Sequence, residues 1–429
     1  MAVIRLPSEV RFIIDRLKTN GYDAYVVGGC VRDSLMGLNP HDWDICTAAL
    51  PEQMIEVFSD CRIVPTGLKH GTISIIIDDV AYEVTTFRID GEYQDNRHPM
   101  SVEFVSDLKL DLLRRDFTIN AMAYNDDVGL VDLFNGQNHI RHGIIKCVGN
   151  ADERFNEDAL RIMRAIRFAA RFGFNIEEDT YKSMIANMSL LKNISIERVC
   201  SELTKTLDNG IFSIDNSILI STLIDCIKIT IQYDMKYLGS IFKRIINSEK
   251  SLEIRLAILF DYPEITNILR ELRFSNDIIN IATDIHRIGH MIHNDKNIWM
   301  STESISYMRL LVKCQVDGVD FYGYPYYARK ILHEIKYCSV HEAIEFAKSL
   351  SNEDTQYLSL LENQAIYCIE HNDVVSISGL EVNGNDLMNL GFKGKDIGVI
   401  LNKLLELVMS DGIKNNKSDL LEVAKSLSP

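Results

Sequence analysis

Asp42 and Asp44 flank a single tryptophan in the string His41-Asp42-Trp43-Asp44. On an extended strand, residues i and i+2 project to one face. The two carboxylates would then stand together while Trp43 turns away. Like charges held that close repel unless a cation lies between them, and Mg²⁺ takes carboxylate oxygens together with substrate phosphates. Upstream, Tyr25-Val26-Val27 runs into the pair Gly28-Gly29, followed by Arg32 and Asp33. Glycines let backbone N–H groups approach a phosphate, and the N-terminus of a following helix favours anions. Arg32 would add a charged fork. Together these residues point to chemistry on a metal-bound phosphate.

Positioning them requires a small sheet. Ser8 to Thr19 carries apolar residues at helical spacing and stops at Asn20-Gly21. Asp23 to Val27 is the first predicted strand and Asp42/Asp44 lie on the second. Pro51 opens a helix over Glu52 to Phe58. Ile73 to Ile77 and Ala81 to Phe87 are β-branched runs joined at Asp78-Asp79, a hairpin signal. The pattern predicts a small mixed sheet with helices on one face. The sequence reads as one helix over Leu108 to Tyr124, and as a second hairpin over Val131 to Asn138 and Ile144 to Val148. From Asp152 onward the periodicity is helical almost throughout, with Asn156 as the expected cap of a helix containing Glu157 to Arg161. The expected fold class is α+β: a sheet-containing head at 1–150, then all-helical neck (151–210), body (211–320) and tail (321–429).

Of 429 residues, 46% are hydrophobic and 25% charged, an ordinary globular balance. No apolar run approaches a membrane span. Nine scattered cysteines without a Cys-x-x-Cys argue against a disulfide framework or zinc knuckle and for a reducing, cytoplasmic setting. The formal charge of −16 taken alone speaks against nucleic acid. Arginines nevertheless concentrate at Arg114-Arg115 and at Arg161, Arg164, Arg167 and Arg171, and basic stripes on an acidic protein can still bind RNA.

Seven strings stand in one order: GGCVRD with the Asp42/Asp44 pair, GLKHGT, YEVTTFRIDGEYQDNRHP, RRDFTINAMAY, DLFNGQNHI, EDALRIMRAIRFAARFGF and ERVCSEL. In these the chain resembles class II tRNA nucleotidyltransferases, the bacterial CCA-adding enzymes, whose head is shared with bacterial poly(A) polymerases. The resemblance is close from about residue 22 to 205 and fainter from Gly379 to Leu407.

The resemblance implies a polymerase-β-like nucleotidyltransferase head. It implies two Mg²⁺ ions at Asp42 and Asp44, with Glu83 as a third carboxylate, activating the RNA 3′-hydroxyl and stabilising the leaving pyrophosphate. Gly29 and Arg32 are then nucleotide contacts, with Gly28 and Asn120 as further candidates. Arg115 faces the triphosphate or sugar, and Asp116 is the candidate for holding an arginine in place. Asp158 with Arg161 acts as a protein template: a carboxylate accepts from the exocyclic amine and a guanidinium donates to the ring acceptor. Cytosine and adenine offer that pairing, uracil and guanine do not. Arg164 and Arg167 would reach phosphates. A full-length loop at Asp90–Pro99 implies addition of the terminal A as well as C.

The expected reaction is template-independent addition of CCA to tRNA from CTP and ATP, with the helical regions gripping the acceptor and T arms. The alternatives are an A-adding enzyme working beside a separate CC-adding partner, and a catalytically idle RNA-binding protein of the same fold. A poly(A) polymerase fits less well, given GLKHGT and no basic extension. His286, His290 and His293 fall on one helix side; the spacing suits a metal, but a polar or RNA-facing stripe is the preferred reading. With His41-Asp42 the sole His-Asp pair, no phosphohydrolase activity is expected.

Overall fold

A computed structural model describes residues 3–91, 102–210, 217–232, 241–294, 325–336, 338–350 and 356–427. The chain divides into two compact units, Met1–Leu238 and Gly239–Pro429.

The first unit is built on a seven-stranded sheet in the order β3-β4-β5-β2-β1-β8-β9. Its strands are β1 (Ala24–Val27), β2 (Ile45–Thr47), β3 (Arg62–Gly67), β4 (Thr72–Ile77), β5 (Val80–Thr86), β8 (Ala123–Asn125) and β9 (Gly129–Val131). Every residue of β1 is buried, as its run of Ala, Tyr and Val demands of a central strand. β1 runs antiparallel to both β2 and β8, and β2 runs parallel to β5, so the sheet is mixed as expected. Asp78 and Asp79 close the β4–β5 hairpin with φ of 48° and 61°, the double left-handed pair of a tight hairpin turn.

Helices cover both faces of this sheet, where one face was expected. On one, α1 (Ser8–Thr19) places Val10, Ile13, Ile14 and Leu17 against Ala24, Val26, Ile45, Ile73 and Ile75. Helices α2 (Gly29–Leu35) and α3 (Pro51–Val57) complete that core through Val31 and Met54. On the other, Tyr25, Val27, Cys46, Phe87 and Ala123 pack with Leu112 of α4 (Leu108–Leu113).

Three further expectations change. The helix over 108–124 breaks after α4 into a 3₁₀ turn at Thr118–Asn120 and then β8. Ala123 and Tyr124 are required beside Val27 and Val26 to extend the sheet, and that pairing outweighs helical propensity. The expected second hairpin is absent: α5 (Gly136–His142) intervenes, and β10 (Ile144–Ile145) pairs in parallel with β11 (Asn175–Ile176). Gly136 allows this, since a Cβ there would lie 2.5 Å from the Thr118 carbonyl. Asn156 lies inside α6 (Ala151–Glu157) and not before it; the next helix, α7 (Leu160–Phe172), follows Ala159, and Asp158 Oδ1 accepts from the Leu160 N–H at 3.1 Å. The first unit continues through α8 (Glu178–Asn187), α9 (Ile196–Asn209) and α10 (Ser217–Ile231). A strand pair, β6 (Arg88–Asp90) with β7 (Val102–Phe104), flanks residues 92–101, so the loop expected at Asp90–Pro99 to govern A addition lies, from 92 onward, outside the described residues.

The described part of the second unit is helical. It contains α11 (Ile241–Asn247), α12 (Leu252–Leu259), α13 (Ile265–Glu271), α14 (Asn276–Asn294) and helices over Pro325–Glu334, Val340–Leu350, Gln356–Glu370, Gly384–Asn389, Lys395–Met409 and Lys417–Ser426. The last three gather a core around Leu387, Leu404, Leu405 and Leu420. No described helix is long and apolar enough to cross a membrane.

Candidate active site

The aspartate pair does not lie on a strand. Asp42, Trp43 and Asp44 form the extended lead into β2, where the Asp44 carbonyl already accepts from the Val27 N–H at 3.0 Å. Glu83 comes from β5. Because Ile45 pairs with Val84 in parallel register, Asp44 falls level with Glu83 across the sheet. Asp42, Asp44 and Glu83 are all exposed to solvent. The Asp44 carboxyl is nonetheless pushed above its ordinary pKa, first by the protein crowding it and then by Glu83 and Asp42, while Arg115 pulls it back. Three carboxylates thus share one field. Their donors are all hard oxygens, the set that suits a hard divalent cation.

Arg115 lies beside them. Asp111, fully buried on α4, accepts from Arg114 Nη2 at 2.7 Å and from Arg115 Nη2 at 3.0 Å. Burial works to raise the Asp111 pKa, but the two guanidinium groups outweigh it and hold the carboxyl below its ordinary range. Arg115 keeps 20% of its side chain exposed, while its Nε is buried with no hydrogen-bond partner. A Cβ on Gly28 would stand 3.2 Å from Arg115 Nη1, and Gly28 has φ of +82°, so this turn needs glycine on two counts. A partly exposed guanidinium fixed on Asp111 beside carboxylates can take an anion that arrives with its own cation. Gly29 begins α2 and is partly buried.

Arg32, the expected charged fork, is buried and engaged in the unliganded chain. It is 4% exposed, donates to Asp33 Oδ1 at 2.8 Å and to Asn120 Oδ1, and packs over the rings of Phe168 and Phe172 at 5.1 and 4.9 Å. Asn120 in turn donates to Asp116 Oδ1 at 3.1 Å, and Asp116 Oδ2 accepts from Arg164 Nε at 2.8 Å. Asp116 therefore does hold an arginine, and that arginine is Arg164. Burial would raise the Asp116 pKa, yet Arg164 and Arg161 hold it down at about 2. The result is a continuous polar strut from α2 through the 3₁₀ turn to α7.

Asp158 and Arg161 lie near one another in the chain, but each is engaged elsewhere. Asp158 accepts from Arg198 of α9 at 2.8 and 3.2 Å. Arg161 donates to Glu157 Oε2 at 2.6 Å and to the carbonyls of Arg154 and Arg114. Arg167 donates to Glu202 at 2.6 Å, so Arg164 and Arg167 both face carboxylates in the unliganded chain. Asp111, Arg198, Glu157 and Glu202 were not singled out from sequence. Asp111 had a signal, since it stands three and four residues before the Arg114-Arg115 pair on a helix. Glu157 had the same signal relative to Arg161. Arg198 and Glu202 had none, because α9 meets α7 only in the fold.

The expected histidine stripe divides. His286 and His290 turn inward and meet Asp261 at 3.0 and 2.6 Å, whereas His293 stands outside that group.

Two family models match: a poly A polymerase head domain over residues 24–146, and a probable RNA and SrmB-binding site of polymerase A over 173–214. The CCA-adding enzyme of Ligilactobacillus salivarius is 33% identical over 437 residues, spanning 100% of this chain and 99% of that protein. That of Staphylococcus haemolyticus is 33% identical across 97% of both. The fold resembles a Bacillus stearothermophilus CCA-adding enzyme in complex with CTP, with a TM-score of 0.70, 28% identity and 98% of each chain covered. It also resembles a Thermotoga maritima CCA-adding enzyme complexed with tRNA, with a TM-score of 0.67 and 21% identity over the whole of both chains, a likeness of fold. Identity of 33% sustained from end to end places this chain in the family of CCA-adding enzymes, the tRNA nucleotidyltransferases.

Proposed function

We propose that the chain adds C, C and A in turn to the 3′ end of tRNA, taking CMP from CTP and AMP from ATP, releasing pyrophosphate and using no nucleic-acid template. The observation that carries this reading is the register that sets Glu83 level with Asp44, in a chain alike along its whole length to CCA-adding enzymes. Mg²⁺ held by Asp42 and Asp44 would supply Lewis acidity at the transferred phosphoryl group and neutralise charge on the attacking and leaving oxygens. Glu83 deepens the negative field that draws such a cation in. Arg115 takes a phosphate or sugar oxygen with its exposed part while Asp111 fixes the guanidinium, so little side-chain freedom is lost on binding. The Gly28 turn keeps that group clear, and Gly29 offers its backbone to the triphosphate. Arg32, with Asn120, braces α2 against α7.

Base choice falls to Asp158 and Arg161 once the nucleotide displaces their present partners, Arg198 and Glu157. Arg164 and Arg167, held now by Asp116 and Glu202, line the same helix for the phosphates. In this reading residues 1–150 form the catalytic head, 151–210 the base-reading neck, and 211–320 and 321–429 the body and tail that hold the acceptor and T arms. Eight free thiols among the described residues suit a reducing cytoplasm.

The test is incubation with Mg²⁺ and labelled CTP or ATP, using tRNAs that end in the discriminator base, in C, or in CC. Extension of all three to a complete CCA end is expected. Extension of the CC-ending tRNA alone identifies an A-adding enzyme, and no incorporation an idle RNA-binding protein. Deleting residues 92–99 should leave C addition intact and stop A addition.

A further inference from the structure

In the second unit, three side chains that the reaction does not use converge on one point. Asp261 follows α12, and His286 and His290 are one turn apart on α14. The Nε2 atoms of both histidines lie against a single oxygen, Asp261 Oδ1, at 3.0 and 2.6 Å, and all three atoms are within 4.8 Å of one another. The other oxygen, Oδ2, accepts from Arg244 Nη1 of α11. Arg244 is anchored in turn on Ser349 Oγ at 3.2 Å. The ring of Phe346 packs against both imidazoles, with centroids 5.7 and 5.4 Å apart, and against the guanidinium. Gly289 makes room for that ring, since a Cβ there would meet Phe346 Cδ1 at 2.3 Å. The side chains of Asp261 and His286 are 7% and 14% exposed, while His290 at 34% leaves one side open to water.

We propose that Asp261, His286 and His290 form a metal site for a late transition ion such as Zn²⁺ or Co²⁺, separate in chemistry from the carboxylate centre of the head. Two imidazole nitrogens and one carboxylate oxygen are three ligands of a tetrahedral site, with water in the fourth position from the His290 side. Nitrogen donors select such ions over Mg²⁺, which prefers oxygen alone. At present one carboxylate oxygen serves two imidazole N–H groups while its neighbour serves a guanidinium. A cation seated between Oδ1 and the two Nε2 atoms replaces those two shared hydrogen bonds with three ligand bonds. Each imidazole need only move its proton from Nε2 to Nδ1, so no net proton is lost. Arg244, on the far oxygen, fixes the direction in which Oδ1 points, the part that an outer partner plays at a metal ligand. The rival, a closed polar knot joining α11, α12 and α14, uses the same contacts but takes up no ion. The ligand would fasten α12 to α14.

The full chain, stripped with chelator, is titrated with Co²⁺ and then with Zn²⁺. The expected result is the visible absorption of tetrahedral, nitrogen-ligated Co²⁺ at one ion per chain, persisting in excess Mg²⁺ and in an Asp42→Ala/Asp44→Ala variant. His290→Gln and His286→Gln should each weaken Zn²⁺ binding by about tenfold or more and abolish the Zn²⁺-induced rise in melting temperature. Absence of the band in the parent chain, or a band untouched by either histidine change, overturns the site. Should the variants fail to fold, the parent chain decides: Zn²⁺ must protect His290 from diethyl pyrocarbonate, and unaltered labelling overturns the proposal equally.

Discussion

Arg198 of α9 holds Asp158, two residues before α7, through two hydrogen bonds of 2.8 and 3.2 Å. The carboxylate proposed to read the base is therefore not free in the unliganded chain, and recognition requires its exchange from a guanidinium to an amine. Removing Asp158 leaves Arg161 without its template partner. Asp158→Ala should narrow the preference for CTP over UTP by about ten- to a hundredfold, the worth of one good base contact. Incorporation of UTP and GTP measures it, and unchanged selectivity sinks the template role.

Asp42→Asn and Asp44→Asn should each lower incorporation of both CTP and ATP by more than about a hundredfold, because they remove proposed metal ligands outright. Neither should lower the melting temperature. Asp44 is held above its ordinary pKa by crowding and by Glu83 and Asp42. It therefore opposes folding once ionised, and a neutral amide relieves that cost. Labelled-nucleotide assays beside thermal melts separate the two effects, and a large loss of stability would contradict the field described for this cluster.

Asp116 carries the opposite sign. Its folded pKa lies near 2 against an ordinary 3.8. It contributes stability that is present above the ordinary value and lost as pH falls toward 2, worth about 2 kcal/mol. The melting temperature of the parent chain should exceed that of Asp116→Asn at pH 6, and the gap should shrink steadily between about pH 4 and pH 2. A gap independent of pH would show that the Arg164 contact adds nothing.

Gly28→Ala should act on the site through Arg115. The new Cβ would stand 3.2 Å from Arg115 Nη1, and φ of +82° is strained for alanine. A destabilisation of about 1–2 kcal/mol is expected from the backbone alone. KM for both CTP and ATP should rise together, with the choice between them unchanged. A change in base preference would place Gly28 in a different role.

In the second unit, Asp284 is 4% exposed and accepts from the Lys336 and Cys338 N–H groups at 2.8 and 3.2 Å and from Arg287 at 2.8 Å. Asp284→Ala leaves the buried Cys338 N–H without its carboxylate, while Lys336 and the Arg287 side chain, 42% exposed, can turn to water; the change should cost about 1–3 kcal/mol. Denaturant melts should show the loss while CMP transfer onto tRNA at low temperature persists. A loss under 1 kcal/mol would mean that water takes over the carboxylate's hydrogen bonds.

What the sequence alone determined was local. The spacing of Asp42 and Asp44, the Gly28 turn, the hairpin at Asp78-Asp79 and the long amphipathic helices α1, α9 and α14 each depend on residues within a few positions of one another, where period and side-chain chemistry speak directly. The order of seven strings added the family. The tertiary structure decided what depends on pairing across the chain. It broke the helix expected at 108–124, because the sheet needs Ala123 and Tyr124 as the strand between β1 and β9. It set Glu83 beside Asp44 through a parallel register between strands some forty residues apart. It turned Arg32, Arg164 and Arg167 onto Asn120, Asp116 and Glu202, since a guanidinium taken out of water must find an acceptor and the nearest acceptors lie on other elements. It also brought Asp261 to two histidines that the sequence could only place on one side of a helix. Periodicity tells which way a side chain points; only the packed chain tells what it meets there.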